Sequence, residues 1–123
     1  MKLGQRRYAD ILVLSPAGRL DHDSCETFNA ELKPFVDEAV AGRRIVLDLS
    51  ALEYVSSAGL RLLLLAGRQA ASQDGKIVIA AMRPLVAEIF HISRFTMLFE
   101  IHPGVREALM AASPQAAAAF DLG

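Results

Sequence analysis

The chain has 123 residues, a hydrophobic share of 53%, a charged share of 22% and a formal net charge of −1. Such a chain fits one globular domain with a real core, and near-neutral charge without a Lys/Arg-rich stretch argues against nucleic acid or an anionic membrane as the partner. One cysteine, Cys25, cannot form an internal disulfide, the start MKLGQRRYAD carries no apolar signal segment, and the greasiest run, Leu60 to Ala66, is broken by Arg61 and is far below the roughly 20 apolar residues of a membrane span; a cytoplasmic protein without membrane insertion is expected.

In chain order, Leu3 to Tyr8 reads as an edge strand turning at Ala9–Asp10 into the continuous apolar run Ile11–Leu14. Ser15–Pro16–Ala17–Gly18 then suggests a turn. Asp21, Asp23 and Ser24 are N-cap candidates before Phe28, Leu32, Phe35, Val36, Ala39 and Val40, whose spacing predicts a helix to about Ala41, with Pro34 inside it as a kink or local break. Arg44–Asp48 is a central strand by its consecutive Ile45, Val46 and Leu47. After a loop from Ser50 to Val55, a second helix starts at Ser56 or Ser57 and runs to about Gln73. Lys76–Ala80 is the next buried strand, Arg83–Ser93 a helix with Pro84 at its tolerant first turn, Leu98–Ile101 a short last strand, and Val105 to Ala112 a final helix. Alternating strands and helices predict an α/β domain over residues 1–112, a mixed, mostly parallel central sheet with helices packed on it, followed by a frayed or loosely docked C-terminal tail, 113–123.

The most informative stretch is IVLDLSALEYVSSAGLRLLLLAGRQA, residues 45–70, which sets two serines and a glycine where a buried strand passes into an apolar helix. Ser56 is suited to cap that helix, Gly59 leaves the first turn open to a close approach, and Ser57 is displayed. On spacing alone this is also an ordinary capped helix start. Ser57, Arg61 and Arg68 share one stripe of the helix, while Leu60, Leu63, Gly67 and Ala70 or Ala71 form the better stripe for packing on the sheet. With leucine at 60 and at 62 to 65, some leucine stays outside the sheet contact and suits a partner surface.

Three segments carry a family resemblance: GRLDHDSCETF at 18–28, VLDLSALEYVSSAGL at 46–60 and GKIVIAAMRPLVAEIFHISRF at 75–95. They resemble the signature regions of STAS domains, specifically the bacterial anti-sigma-factor antagonists, over about residues 3–112. The resemblance implies a protein-binding module rather than an enzyme. It implies phosphorylation at Ser57, a Ser/Thr protein kinase of the anti-sigma type that binds the unmodified module, and a PP2C-type phosphatase that restores binding. Ser56 stands where many members have Asp. The implied partner surface takes in Asp21, Ser56, Ser57, Gly59 and Arg61, with Asp21 also a plausible cap for the first helix.

Other chemistry finds little support. Asp21, His22 and Asp23 have no second cluster to complete a metal shell, His91 and His102 are isolated, and neither GxGxxG nor GxxxxGK[ST] occurs, so no metal, cofactor or catalytic set is expected. A phosphoacceptor receiver domain fails because Ser15–Pro16–Ala17 stands where its acidic pair belongs. The remaining alternative is a STAS subunit of a membrane transporter or lipid-trafficking complex that works through permanent contacts.

Overall fold

Runs of consecutive apolar residues, rather than alternating ones, mark strands covered on both faces, and the computed structural model, which describes residues 2–123, places helices on each side of one sheet. The strands are β1 (Lys2–Tyr8), β2 (Ile11–Leu20), β3 (Arg44–Asp48), β4 (Leu52–Val55), β5 (Lys76–Ala80) and β6 (Glu100–His102). The helices are α1 (Cys25–Asp37), α2 (Ser57–Ser72), α3 (Pro84–Ile92), α4 (Val105–Ala112) and α5 (Pro114–Leu122), with one 3-10 turn at Phe95–Met97. The sheet runs β1-β2-β3-β5-β6, with β1 antiparallel to β2 and the other neighbours parallel. This is the mixed, mostly parallel α/β architecture read from the sequence.

Because side chains alternate along a strand, each central strand feeds two cores. Leu12, Leu14, Ile45, Leu47, Ile77 and Ile79 point to one face and meet Phe28, Leu32 and Val36 of α1, Leu60 and Leu63 of α2, and Phe90 of α3. Ile11, Val13, Val46 and Val78 point to the other and are covered by Ala108 and Leu109 of α4 and Ala116 and Ala117 of α5.

The expected turn at Ser15–Gly18 is instead the second half of β2. Ser15, Pro16 and Ala17 stay paired with β1, and beyond a register shift at Gly18/Arg19 the strand takes β4 as a new partner, Arg19 opposite Tyr54 and Leu20 opposite Val55. Gly18 absorbs that shift at φ +108. The segment 50–55, expected as loop, therefore contains β4. Helix α1 stops at Asp37 rather than near Ala41, and it runs through Pro34, which is exposed, as is Ala30, the residue whose carbonyl loses its donor. The last strand lies two residues later at one end than predicted, at Glu100–His102.

Residues 114–122 are not frayed. Ser113 caps α5 by accepting from the Ala116 N–H at 3.3 Å, and Pro114 occupies its tolerant first turn. Phe120 meets Tyr8 edge-to-face with ring centroids 5.4 Å apart, and Arg106 binds Asp121 through both carboxylate oxygens at 2.9–3.3 Å.

Candidate functional site

The pairing of β2 with β4 brings the loop after β2 against the start of α2. Leu20 and Val55 lie side by side, and the Ser56 N–H donates to the Leu20 carbonyl at 2.8 Å. Ser56 is the N-cap in extended conformation: its Oγ accepts from the Gly59 N–H at 3.1 Å, and its carbonyl accepts from the Leu60 N–H at 2.8 Å. One hydroxyl of the serine pair is thus spent on the helix start. The other is free to face outward, since Ser57 is the first helical residue and is exposed, as are Ala58 beside it and Arg61 one turn on.

Gly59 corrects the sequence reading. The close approach it permits is by the protein itself: a Cβ there would lie 2.8 Å from Leu20 Cγ, 2.9 Å from Val55 Cγ2 and 3.0 Å from the Leu20 carbonyl oxygen. It is buried and lies beneath the accessible surface, seating the first turn of α2 on the junction of β2 and β4.

Asp21 folds the adjacent loop. Its Oδ1 accepts from the N–H groups of Asp23 and Ser24, both at 3.1 Å, and from the Ser24 hydroxyl at 3.2 Å, while Ser24 Oγ also lies 2.6 Å from the Arg19 carbonyl as donor. These bonds, led by the Ser24 N–H, hold the Asp21 carboxyl below its usual range, with Arg19 adding to the effect. The carboxylate thereby caps the turn that runs into α1: the Asp21 carbonyl accepts from the Cys25 N–H at 3.0 Å, while Ser24, already in helical conformation at the boundary of α1, makes no side-chain cap bond of its own.

Three residues join this corner that sequence reasoning did not single out. Arg19 lies 4.4 Å over the Tyr54 ring with its Nε 3.9 Å from Asp21 Oδ2, an arrangement created by the β2–β4 register. Cys25 is half-buried beside Ser56; burial pushes its thiol up and Asp21 adds to this, against a hydrogen bond with Ser56, so the thiol stays protonated at neutral pH. From Ala58 a groove of about 500 Å³ runs between α1 and α2, floored by Leu32, Val36, Leu62 and Ala66. The leucine left outside the sheet contact is Leu65, half exposed on its wall. Among the described residues no three His, Cys, Asp or Glu side chains gather as metal ligands, and no helix is long and apolar enough to cross a membrane.

A sheet of this order with its first turn of α2 displayed beside the loop after β2 defines a STAS-type module. The family described as "Mlab, STAS domain" matches residues 4–100, and the chain belongs to the STAS domain family, of the anti-sigma-factor-antagonist type. BtrV of Bordetella bronchiseptica, named as an anti-sigma factor antagonist, is 38% identical over 112 residues, covering 91% of this chain and 94% of its own. Among solved structures, an anti-sigma factor antagonist from Mycobacterium paratuberculosis superposes with a TM-score of 0.80 at 22% identity, over 90% of this chain and 92% of that one. The Bacillus cell fate determinant SpoIIAA in its phosphorylated form superposes with a TM-score of 0.66 at 18% identity, over 91% of this chain and 100% of that one. These structural likenesses carry the fold.

Proposed function

We propose that this protein is a phosphorylation-switched anti-sigma factor antagonist. In the cytoplasm the unmodified protein binds a Ser/Thr protein kinase of the anti-sigma type through Ser57, Arg61 and the Asp21 loop. Transfer of the terminal phosphoryl group of ATP to Ser57 Oγ, with loss of the hydroxyl proton and departure of ADP, releases it. A PP2C-type phosphatase hydrolyses the phosphoserine and restores binding.

The observation that carries this reading is the division of labour between adjacent serines: Ser56 Oγ is engaged by the Gly59 N–H, whereas Ser57 is exposed in the first turn. A protein of the same fold, SpoIIAA, has a phosphorylated form. Electrostatics supply the switch. A phosphoserine adds about −1.5 to −2 charges, and burying that charge at an interface without full pairing costs on the order of several kcal/mol. At about 1.4 kcal/mol per decade, affinity should fall at least about a hundredfold.

The test is incubation with ATP and the Ser/Thr kinase encoded nearest to this gene, followed by site-resolved mass spectrometry. Phosphate at Ser57 is expected; phosphate at Ser56, or at neither, overturns the assignment. Ser57→Ala should keep full affinity for the kinase and Ser57→Asp should lose part of it. Equal affinities would point to the other reading, a STAS subunit of a transporter or lipid-trafficking complex held by permanent contacts.

A further inference from the structure

Helix α2 begins at Ser57, and Arg61 stands four residues later, one turn on and on the same stripe of the helix. Both are exposed. Arg61 also lines the groove between α1 and α2, together with Ala58 beside Ser57. Of the other charged side chains on that groove, Lys33 is held by Asp37 at 3.5 Å, and Glu26 of the facing helix is in no ion pair among the described residues. Arg61 has no ion-pair partner among them either. Asp21, in the loop beside the start of α2, is taken up by Arg19 and by the N–H groups of Asp23 and Ser24. One guanidinium is thus left without a carboxylate of its own, a turn away from the displayed hydroxyl.

A surface that binds Ser57 has to cover Arg61 as well. The two residues are about 6 Å apart along the helix at ~1.5 Å per residue, and an ordinary protein interface spans many times that length. Covering an unpaired guanidinium is costly, so the acceptor has to come from the partner, and a carboxylate matches the arginine fork with two parallel N–H···O bonds. Phosphate at Ser57 competes for the same group. Guanidinium binds phosphate as it binds carboxylate, and an anion four residues N-terminal to a cation is the favoured orientation of a helical ion pair.

Resting on the kinase reading of Ser57, we infer that Arg61 is a shared cation through which the phosphate is read: it pairs with a carboxylate of the kinase when Ser57 is free and with the phosphoserine when Ser57 is modified. Modification then acts twice. It adds negative charge to the interface, and it strips the kinase carboxylate of its cation, so that two anions face each other. Arg68 shares the stripe but lies eleven residues from Ser57, about 16 Å at ~1.5 Å per residue, and stays outside the exchange. An arginine that merely neutralised the phosphate would behave differently. Its removal would weaken only the modified protein and widen the gap in affinity between the two forms, whereas removal of a shared cation weakens chiefly the unmodified protein and narrows the gap.

The test uses the full chain with serine or genetically encoded phosphoserine at position 57, titrated against the Ser/Thr kinase encoded nearest to this gene. Unmodified Arg61→Gln should bind about tenfold more weakly than wild type, Arg61→Lys should recover part of the loss by restoring charge without the fork, and Arg68→Gln should bind like wild type. The gap between unmodified and phosphorylated protein should narrow about fivefold in Arg61→Gln. In the absence of kinase, phosphorus NMR should find the second ionisation of the phosphoserine, ordinarily near about pH 6, lower in wild type than in Arg61→Gln by about 0.3 pH units. Far-UV circular dichroism should show the variants folded, since Arg61 and Arg68 are not buried. Full affinity in unmodified Arg61→Gln, a gap that stays or widens, or the same phosphate ionisation in both proteins would each overturn the inference and leave the assignment of Ser57 standing. Failure of the wild type to bind the kinase at all would instead overturn the kinase reading, and the inference with it.

Discussion

Helix α2 carries two glycines in close contact with neighbours, Gly59 in its first turn and Gly67 past its middle, and the two contacts differ in what stands opposite. At Gly59 a Cβ would meet Leu20 Cγ, Val55 Cγ2 and a backbone oxygen, all within 3.0 Å. At Gly67 it would meet one ring, Phe99, which is half-buried at the margin of the core. The first contact is locked, because Leu20 and Val55 are buried β residues paired with each other across β2 and β4. The second can give. The first turn of α2, which carries Ser57, is therefore seated on fixed neighbours, and the stretch around Gly67 meets a single side chain with room to shift.

Alanine at each position measures that difference and should produce the largest effect. Gly59→Ala gains helix propensity of about 1 kcal/mol but forces displacement of backbone, and a net loss of about 2–3 kcal/mol is expected. At roughly 3–5 °C per kcal/mol for a domain near this size, thermal unfolding should drop by about 10 °C. Gly67→Ala should stay within about 1 kcal/mol of wild type, the same propensity gain offsetting a small shift of the ring. Comparable losses at both positions would erase the distinction.

A second, smaller effect separates the two ends by pH. The β6 end is tied electrostatically: Glu100 lies 2.7 Å from both His102 Nε2 and Lys76 Nζ, with Arg44 at 3.8 Å, and these partners, His102 first, lower its carboxyl from 4.5 to about 2. The folded value lies below the unfolded one. Its stabilisation is thus complete above about pH 4.5 and lost as pH falls toward about 2. Because the carboxylate is partly open to solvent, a contribution of about 1–2 kcal/mol is expected, less than the shift alone implies. Urea denaturation of Glu100→Gln should show that deficit at pH 7, a shrinking one below about pH 4.5, and convergence on wild type only near pH 2 and below. A deficit that persists unchanged into acid would mean that the ion pairs contribute nothing.

How much of this was legible in the sequence follows from where the determining contacts lie. The central strands announce themselves because burial on both faces requires consecutive apolar residues, as in Ile45–Leu47 and Ile77–Ile79. The start of α2 was equally clear, since a serine cap and its N–H partner are three residues apart. By contrast β4 hides in Leu52–Val55, whose Glu53 and Tyr54 break the apolar run, and its partner lies more than thirty residues earlier in β2. With β4 unseen, the Arg19–Tyr54 stack was invisible, and Gly59 read as an opening toward a partner although Leu20 and Val55 already fill it. Helix α5 was missed for a related reason. Its alanines give almost no amphipathic pattern, and Ala116 and Ala117 are buried only because the face of β1 and β2 lies beneath them.

The cap at the locked end is worth less than the glycine beneath it. Ser56→Ala removes the acceptor for the Gly59 N–H and should cost about 1 kcal/mol, or roughly 3–5 °C. Ser56→Asp keeps an acceptor and puts negative charge at the helix start, so it should match or exceed wild type by about 0.3–1 kcal/mol at low salt. A loss of stability in Ser56→Asp, measured by thermal unfolding, would show that the hydroxyl and its neighbour Cys25 are packed too closely for a carboxylate.

The smallest expected effect is that of phosphate on the fold itself. Phosphoserine at position 57 would sit in the first turn of α2, which holds no acidic residue, and would face the positive end of the helix dipole, an arrangement worth about 0.3–1 kcal/mol in favour of the helix. Arg61 lies four residues on, exposed and without an ion-pair partner among the described residues, and can add about 0.3–0.5 kcal/mol. The Asp21 carboxylate across the corner opposes this, but it is already engaged by Arg19 and the Ser24 N–H, and at physiological salt its reach is cut to about 8 Å. Because Gly59 locks the turn from below, none of these forces has to hold the helix start in place. Thermal unfolding of the stoichiometrically phosphorylated protein should therefore fall between no change and a rise of about 4 °C, with any rise shrinking as salt is added. A drop of more than about 8 °C would mean that phosphate melts the start of α2, and loss of kinase binding would then follow from local unfolding instead of from charge at an intact surface.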